Sequence, residues 1–185
     1  MVDILRIPAD KVPTLRRHYF ETYGTTLRGL QRHYDVDTDD FLKFVHDLAL
    51  HEYLRPQTEV AQLIASLPQR KYIFTNADEA HASRVLSMLQ MEGLFLGVID
   101  VRAMDFHCKP EPEAYKIALN LAGNPDPQAC LMIDDSQRNL EPAQALGFKT
   151  IHVTHEMPSS DGHLSISNLC ELTTTLPALW VPAQS

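Results

Sequence analysis

The chain has 185 residues, 44% of them hydrophobic and 22% charged, with a formal net charge of -8. That size suits one globular domain with a small appendage, and the surplus of carboxylates excludes a general affinity for nucleic acid, which needs clustered Lys and Arg. No apolar run approaches the roughly 20 residues that span a bilayer, the first residues lack a signal-peptide pattern, and three widely spaced cysteines suit reduced thiols; a cytoplasmic protein without a membrane partner is expected.

The first third reads as helical. Asp10 to about His33 is helix-rich, with a break near Tyr23-Gly24. Thr38-Asp39-Asp40 offers an N-cap before Phe41, Phe44, Val45 and Leu48, whose spacing predicts one apolar stripe. Pro56 is read as opening a further helix that buries Val60, Leu63, Ile64 and Leu67.

From Lys71 the pattern changes to short β-rich runs alternating with helices. The runs are Lys71–Thr75, Gly97–Asp100, Cys130–Ile133 and Lys149–Val153; the helices are Asp78–Met91, Glu111–Ala122 and Gln137–Leu146. Pro112 fits the first turn of its helix, where a missing N–H is no loss. Such alternation predicts a parallel sheet covered on both faces, and ligands of such sheets bind at the C-terminal strand ends. The tail places a turn-rich linker, Pro158-Ser159-Ser160-Asp161-Gly162, before Leu169, Leu172, Leu176, Leu179 and Trp180, which are expected to dock back on the core.

Three polar clusters fall at those strand ends. Thr75-Asn76 follows the first run, Cys108-Lys109-Pro110 precedes the Glu111 helix, and Asp134-Asp135-Ser136 follows the third run. Thr75 offers a hydroxyl, and the N–H groups beyond it lead into a helix, a geometry suited to anions. Two adjacent carboxylates at a strand end repel each other and call for a cation or a shared proton. Each cluster has an ordinary alternative: Thr75-Asn76 and Asp135 or Ser136 as helix caps, and Lys109 as a solvated charge.

Taken in order, Tyr72-Ile73-Phe74-Thr75-Asn76, then Lys109-Pro110-Glu111-Pro112-Glu113-Ala114-Tyr115, then Met132-Ile133-Asp134-Asp135-Ser136 with Asn139-Leu140 resemble the second, third and fourth motifs of the haloacid dehalogenase-like hydrolases. Tyr23-Gly24-Thr25-Thr26-Leu27-Arg28-Gly29-Leu30 and Arg70–Asp78 are similar to the pyrimidine 5'-nucleotidase-like branch. The resemblance covers roughly Met1 to Val153. It implies a Rossmann-like, three-layer parallel sheet, with residues 1–55 as a helical cap and 56–185 as the core. It also implies magnesium-assisted hydrolysis of a phosphomonoester, the partner being a small phosphorylated metabolite or nucleoside monophosphate. Thr75 and Asn76 would bind phosphate, Lys109 would bind phosphate and balance charge, Asp135 and Asp134 would hold Mg2+, and Ser136 and Asn139 would support the acidic loop. Tyr23, Arg28 and His33 are looser candidates for substrate contacts from the cap.

The family's first motif, Asp-x-Asp-x-Thr at the end of an apolar strand, has no counterpart. Asp35-Val36-Asp37-Thr38-Asp39 has the acidic spacing, but it lies in the helical region and ends in Asp, so it reads as a loop and N-cap; as a calcium loop it lacks Gly at its sixth position (Asp40) and Glu at its twelfth (His46). Met1-Val2-Asp3-Ile4-Leu5 resembles the middle of a first cap helix, so roughly 25 to 35 residues carrying the first strand and the nucleophile are expected upstream. The sheet should then expose two unpaired edges, and magnesium, short of ligands, should bind weakly. The rival expectation is a non-catalytic remnant of the fold that serves as a binding protein. A receiver-like domain is disfavoured, because receivers place their acidic pair first.

Overall fold

The computed structural model describes residues 1, 5–155 and 164–181; Val2-Asp3-Ile4 and the expected linker Pro158–Gly162 lie outside the described residues. Helices α1 (Val12–Tyr23) and α2 (Thr26–His33) part at Gly24, whose φ of +83° ends the first helix, and Thr25 caps the second by accepting from the Arg28 N–H at 3.1 Å. The two helices cross so closely that a Cβ on Gly29 would lie 2.2 Å from Tyr19 Cγ. Tyr19, Leu30 and Ile7 form the buried centre of this segment.

Helix α3 (Thr38–His46) begins one residue earlier than the sequence implies, because Asp37 supplies the cap, accepting from the Asp40 N–H at 3.0 Å. The acidic run 35–39 is thus a loop and a cap. The expected stripe needs correction: Leu42 is the buried residue, with Phe41 and Val45 partly covered, whereas Phe44 is 81% and Leu48 49% exposed. Phe44 lies about 200° around the helix from Leu42, and Leu48 falls beyond the helix end. A one-turn helix, α4 (Leu50–Tyr53), was not anticipated, and α5 (Thr58–Ser66) starts two residues after Pro56, which leads into it and does not open it.

The strands are β1 (Tyr72–Phe74), β2 (Gly97–Ile99), β3 (Leu131–Asp134) and β4 (Lys149–Val153), separated by α6 (Glu79–Leu89), α7 (Pro112–Leu121) and α8 (Gln137–Ala145). The tail contributes a further strand, β5 (Leu164–Ile166), which the sequence reading missed, and a short helix, α9 (Leu172–Thr175). All pairings are parallel: Ile73 lies opposite Val98, Ile133 opposite Ile151, and Ile151 opposite Leu164. The strands nevertheless form two sheets, β1-β2 and β3-β4-β5. Among the described residues no pairing joins β1 to β3, so each has one edge without a ladder partner there.

Alternation along β3 sends its side chains to two layers. Met132 joins Tyr72, Phe74, Ile99 and Tyr115 beneath α7 and α8, while Leu131 and Ile133 join Ile151, Ile166, Leu172 and Trp180 on the opposite face. The apolar tail residues therefore dock on the core as expected. This is an α/β fold of parallel strands with helices on both faces. No helix among the described residues is long and apolar enough to cross a membrane.

Candidate active site

The C-terminal ends of β1 and β3 meet at one side chain. Lys109 is 9% exposed, and its ammonium donates to the Phe74 carbonyl at 2.9 Å and to Asp134 Oδ2 at 2.7 Å. The same nitrogen stands 5.0 Å from the centre of the Phe74 ring, a favourable cation–π arrangement. An ammonium carries three N–H donors, and two of them bind the ends of the separate sheets.

The Lys109 backbone is fixed as firmly as its side chain. Asn76 accepts from the Lys109 N–H at 2.7 Å and donates to the Lys109 carbonyl at 2.9 Å, locking the loop after β1 to the cis Lys109-Pro110 peptide. Thr75 Oγ1 accepts from the Ala77 N–H at 3.0 Å, which leaves its hydroxyl proton free to be donated. On the other side of the cluster, Asp134 Oδ1 accepts from the Ser136 N–H at 2.9 Å and from Asn139 Nδ2 at 3.0 Å. Tyr115 OH donates to the Asn139 carbonyl at 2.5 Å; burial, aided by the nearby Asp134, pushes the Tyr115 phenol well above its usual range, so it stays a neutral donor.

The structure thus brings together Thr75, Asn76, Lys109, Asp134, Ser136 and Asn139. Asp135 borders this group with its side chain exposed, and His152 Nε2 lies 3.2 Å from its backbone oxygen. Ser136 starts α8 without a side-chain cap bond, so the acidic loop is organised by Asp134 and not by a capping serine. Cys108, beside Lys109, is buried, and burial raises its thiol to about 11; it is no thiolate nucleophile at neutral pH. Tyr23 and His33 are bonded to each other (OH to Nε2, 2.9 Å), and Arg28 is held by Glu111 at 3.2 Å, which also contacts His107 Nδ1 at 2.8 Å.

Two residues outside the predicted set shape the site. Asp100, 5% exposed, accepts from the Glu79 N–H at 2.9 Å and the Ala103 N–H at 2.7 Å, binding the end of β2 to the first residue of α6. A carboxylate directly after the second β-rich run was the signal for it. Arg138, three residues after Asp135, donates to the Phe20 and Glu21 carbonyls at 2.8 and 2.6 Å, fastening the acidic loop to the C-terminal end of α1. A favourable place for a cation gives it a reason, but nothing in its sequence neighbourhood distinguishes it.

The model of the haloacid dehalogenase-like hydrolase family matches residues 6–147. The chain belongs to this family. Among curated proteins, this chain is 28% identical over 162 residues to phosphate metabolism protein 8 of Saccharomyces cerevisiae, a match covering 79% of this chain and 49% of the relative. The chain spans about half the length of that relative. Among solved structures, the HAD-hydrolase YfnB of Bacillus subtilis, bound to magnesium, superposes with a TM-score of 0.64 at 15% identity, covering 95% of this chain and 87% of that one. The L-2-haloacid dehalogenase of Xanthobacter autotrophicus superposes at 0.53 with 18% identity, covering 80% and 62%. At such identities these neighbours speak for the fold.

Proposed function

We propose that this hydrolase is a magnesium-dependent phosphomonoester hydrolase of the pyrimidine 5'-nucleotidase type, its nucleophilic aspartate supplied by a strand outside these 185 residues. The observation that carries the reading is the Lys109 junction. One buried ammonium spans the ends of two parallel strands that share no ladder among the described residues, and its third N–H belongs where an anion or a carboxylate on an intervening strand would sit. The name of the yeast relative and the magnesium bound by the Bacillus neighbour agree with phosphate chemistry.

In this account Thr75 donates its hydroxyl proton to a phosphoryl oxygen, and Lys109 places its third N–H on the same group. Phosphoryl transfer needs little more from a protein than such positioning and charge neutralisation. Asp134 is occupied by Lys109, Ser136 and Asn139, so it aligns the loop and reaches a metal most easily through water, while exposed Asp135 would be a direct ligand. Oxygen donors of this kind suit magnesium, which when bound would neutralise phosphoryl charge. Among the described residues no group of three His, Cys, Asp or Glu side chains is placed to hold a metal ion. Residues 1–55 would form the cap over the site, with small phosphorylated metabolites or nucleoside monophosphates as substrates.

Calorimetric titration with magnesium tests the metal half of this reading. Millimolar binding that disappears in Asp135→Asn is expected. Micromolar or tighter binding, or binding indifferent to that substitution, would contradict it.

A further inference from the structure

We propose that His46 and His81 form an acid-sensitive latch that ties the C-terminal end of α3, the last long helix of the N-terminal segment, to the start of α6, the core helix that follows Thr75-Asn76. The imidazole rings stack with centroids 4.2 Å apart and planes 16° from parallel. His46 closes α3, and His81 lies in the first turn of α6, so the stack is a contact between segments 35 residues apart in sequence. None of these groups belongs to the Lys109 cluster, and the latch stands whether or not the chain hydrolyses phosphate esters.

The neighbouring groups make the neutral stack the favoured state. His81 Nδ1 is buried and without a hydrogen-bond partner, which an unprotonated ring nitrogen tolerates far better than a buried N–H of a cation. His46 Nδ1 lies 3.1 Å from Asp78 Oδ1, which also accepts from the His81 backbone N–H at 2.9 Å as the N-cap of α6, so one carboxylate held at the helix start faces both rings. Arg84 of α6 donates to the His46 carbonyl and adds positive charge beside both rings. On α4, which packs against the same helix, His51 and Glu52 are exposed. Two imidazolium rings stacked at this distance next to Arg84 would repel, with Asp78 as the carboxylate in contact with His46, while Asp47 and Glu79, the neighbouring acids in sequence, are exposed.

Burial lowers the proton affinity of both histidines; the Asp78 carboxylate offsets this in part, and for His81 the neighbouring His46 lowers it further. The folded state therefore binds protons less readily than the unfolded chain. The stack's contribution is complete above the ordinary histidine midpoint, about pH 6.5, and is lost as pH falls through the lowered values. What opens is the contact of His46, the last residue of α3, with α6, beside the Asp47-Leu48-Ala49 turn into α4.

Amide hydrogen exchange on the intact chain, corrected for intrinsic rates, reads this opening. Exchange of the α3 amides is expected to rise by about tenfold or more between pH ~7.5 and ~5, while the β3 and β4 amides hold. His81→Phe keeps an aromatic ring in the stack and removes a titrating group, and should flatten the pH response of α3. Ring-proton NMR titration of the unmodified chain decides the matter even if that variant fails to fold. Midpoints for both histidines below that of an exposed histidine support the latch. Midpoints at or above it, or α3 exchange that does not change with pH, would overturn it.

Discussion

Lys109→Ala is expected to destabilise the protein by about 3–5 kcal/mol, because it leaves a buried carboxylate without its countercharge. Asp134 and Lys109 have side chains only 7% and 11% exposed, at 2.7 Å, so solvent cannot replace the lost partner. The substitution also frees the Phe74 carbonyl and removes a side chain that bonds the ends of both sheets. Chemical denaturation should show the loss as a lowered midpoint. If the pair is valued mainly for mutual neutralisation, the double variant Lys109→Met with Asp134→Leu should be closer to the parent than the sum of the single changes, with a coupling of about 2 kcal/mol or more. Additive losses would mean that the ion pair is incidental to the fold.

Gly24→Ala is the second large effect, expected at about 2–4 kcal/mol. Gly24 has φ +83°, where an L-residue is strained, and an added Cβ would lie 2.5 Å from the Lys109 carbonyl oxygen and 3.2 Å from Cys108 Sγ. The obstacle is backbone, so relief requires moving either the α1–α2 corner or the Lys109 loop. That corner is also where Cys108 Sγ contacts the Tyr23 carbonyl at 3.1 Å, and Arg138 holds the same end of α1. The N-terminal helices are therefore registered on both the lysine loop and the acidic loop. Thermal melting should fall by several degrees, and a melting temperature unchanged by Gly24→Ala would show that this close approach is not maintained in solution.

What the sequence disclosed, and what it hid, follows from how local each feature is. Thr75 and Asp134 were legible because they stand at strand ends, which a parallel sheet gathers whatever the details of packing, and Lys109 because it precedes a proline-led helix between those strands. The structure adds that their neighbours bind reciprocally, as Asn76 and Lys109 do, which no spacing rule could supply. Leu164–Ile166 escaped as a strand because three residues carry no usable period and the polar stretch before them reads as linker. Phe44 and Leu48 were misplaced because several apolar residues on a short helix allow more than one stripe, and tertiary contacts with Val101 and Phe106 chose the face bearing Leu42. The histidine stack and the Arg138 contacts join residues far apart in the chain, where a single sequence offers no signal.

The junction of β1 and β3 at Lys109 ties these points together. Among the described residues each of these strands has one edge without a ladder partner, and Lys109 bonds the C-terminal ends of both, in a chain that belongs to a hydrolase family. The most direct test is turnover. A parallel strand ending in Asp-x-Asp-x-Thr, fused ahead of residue 1, should give a folded protein that hydrolyses an aryl phosphate only with magnesium, prefers pyrimidine over purine monophosphates, and loses activity in Asp135→Ala. The 185-residue chain itself should show no turnover. Hydrolysis by the unextended chain, or a well-folded extended chain with no phosphatase activity, would contradict the account, and the latter would favour a non-catalytic binding protein.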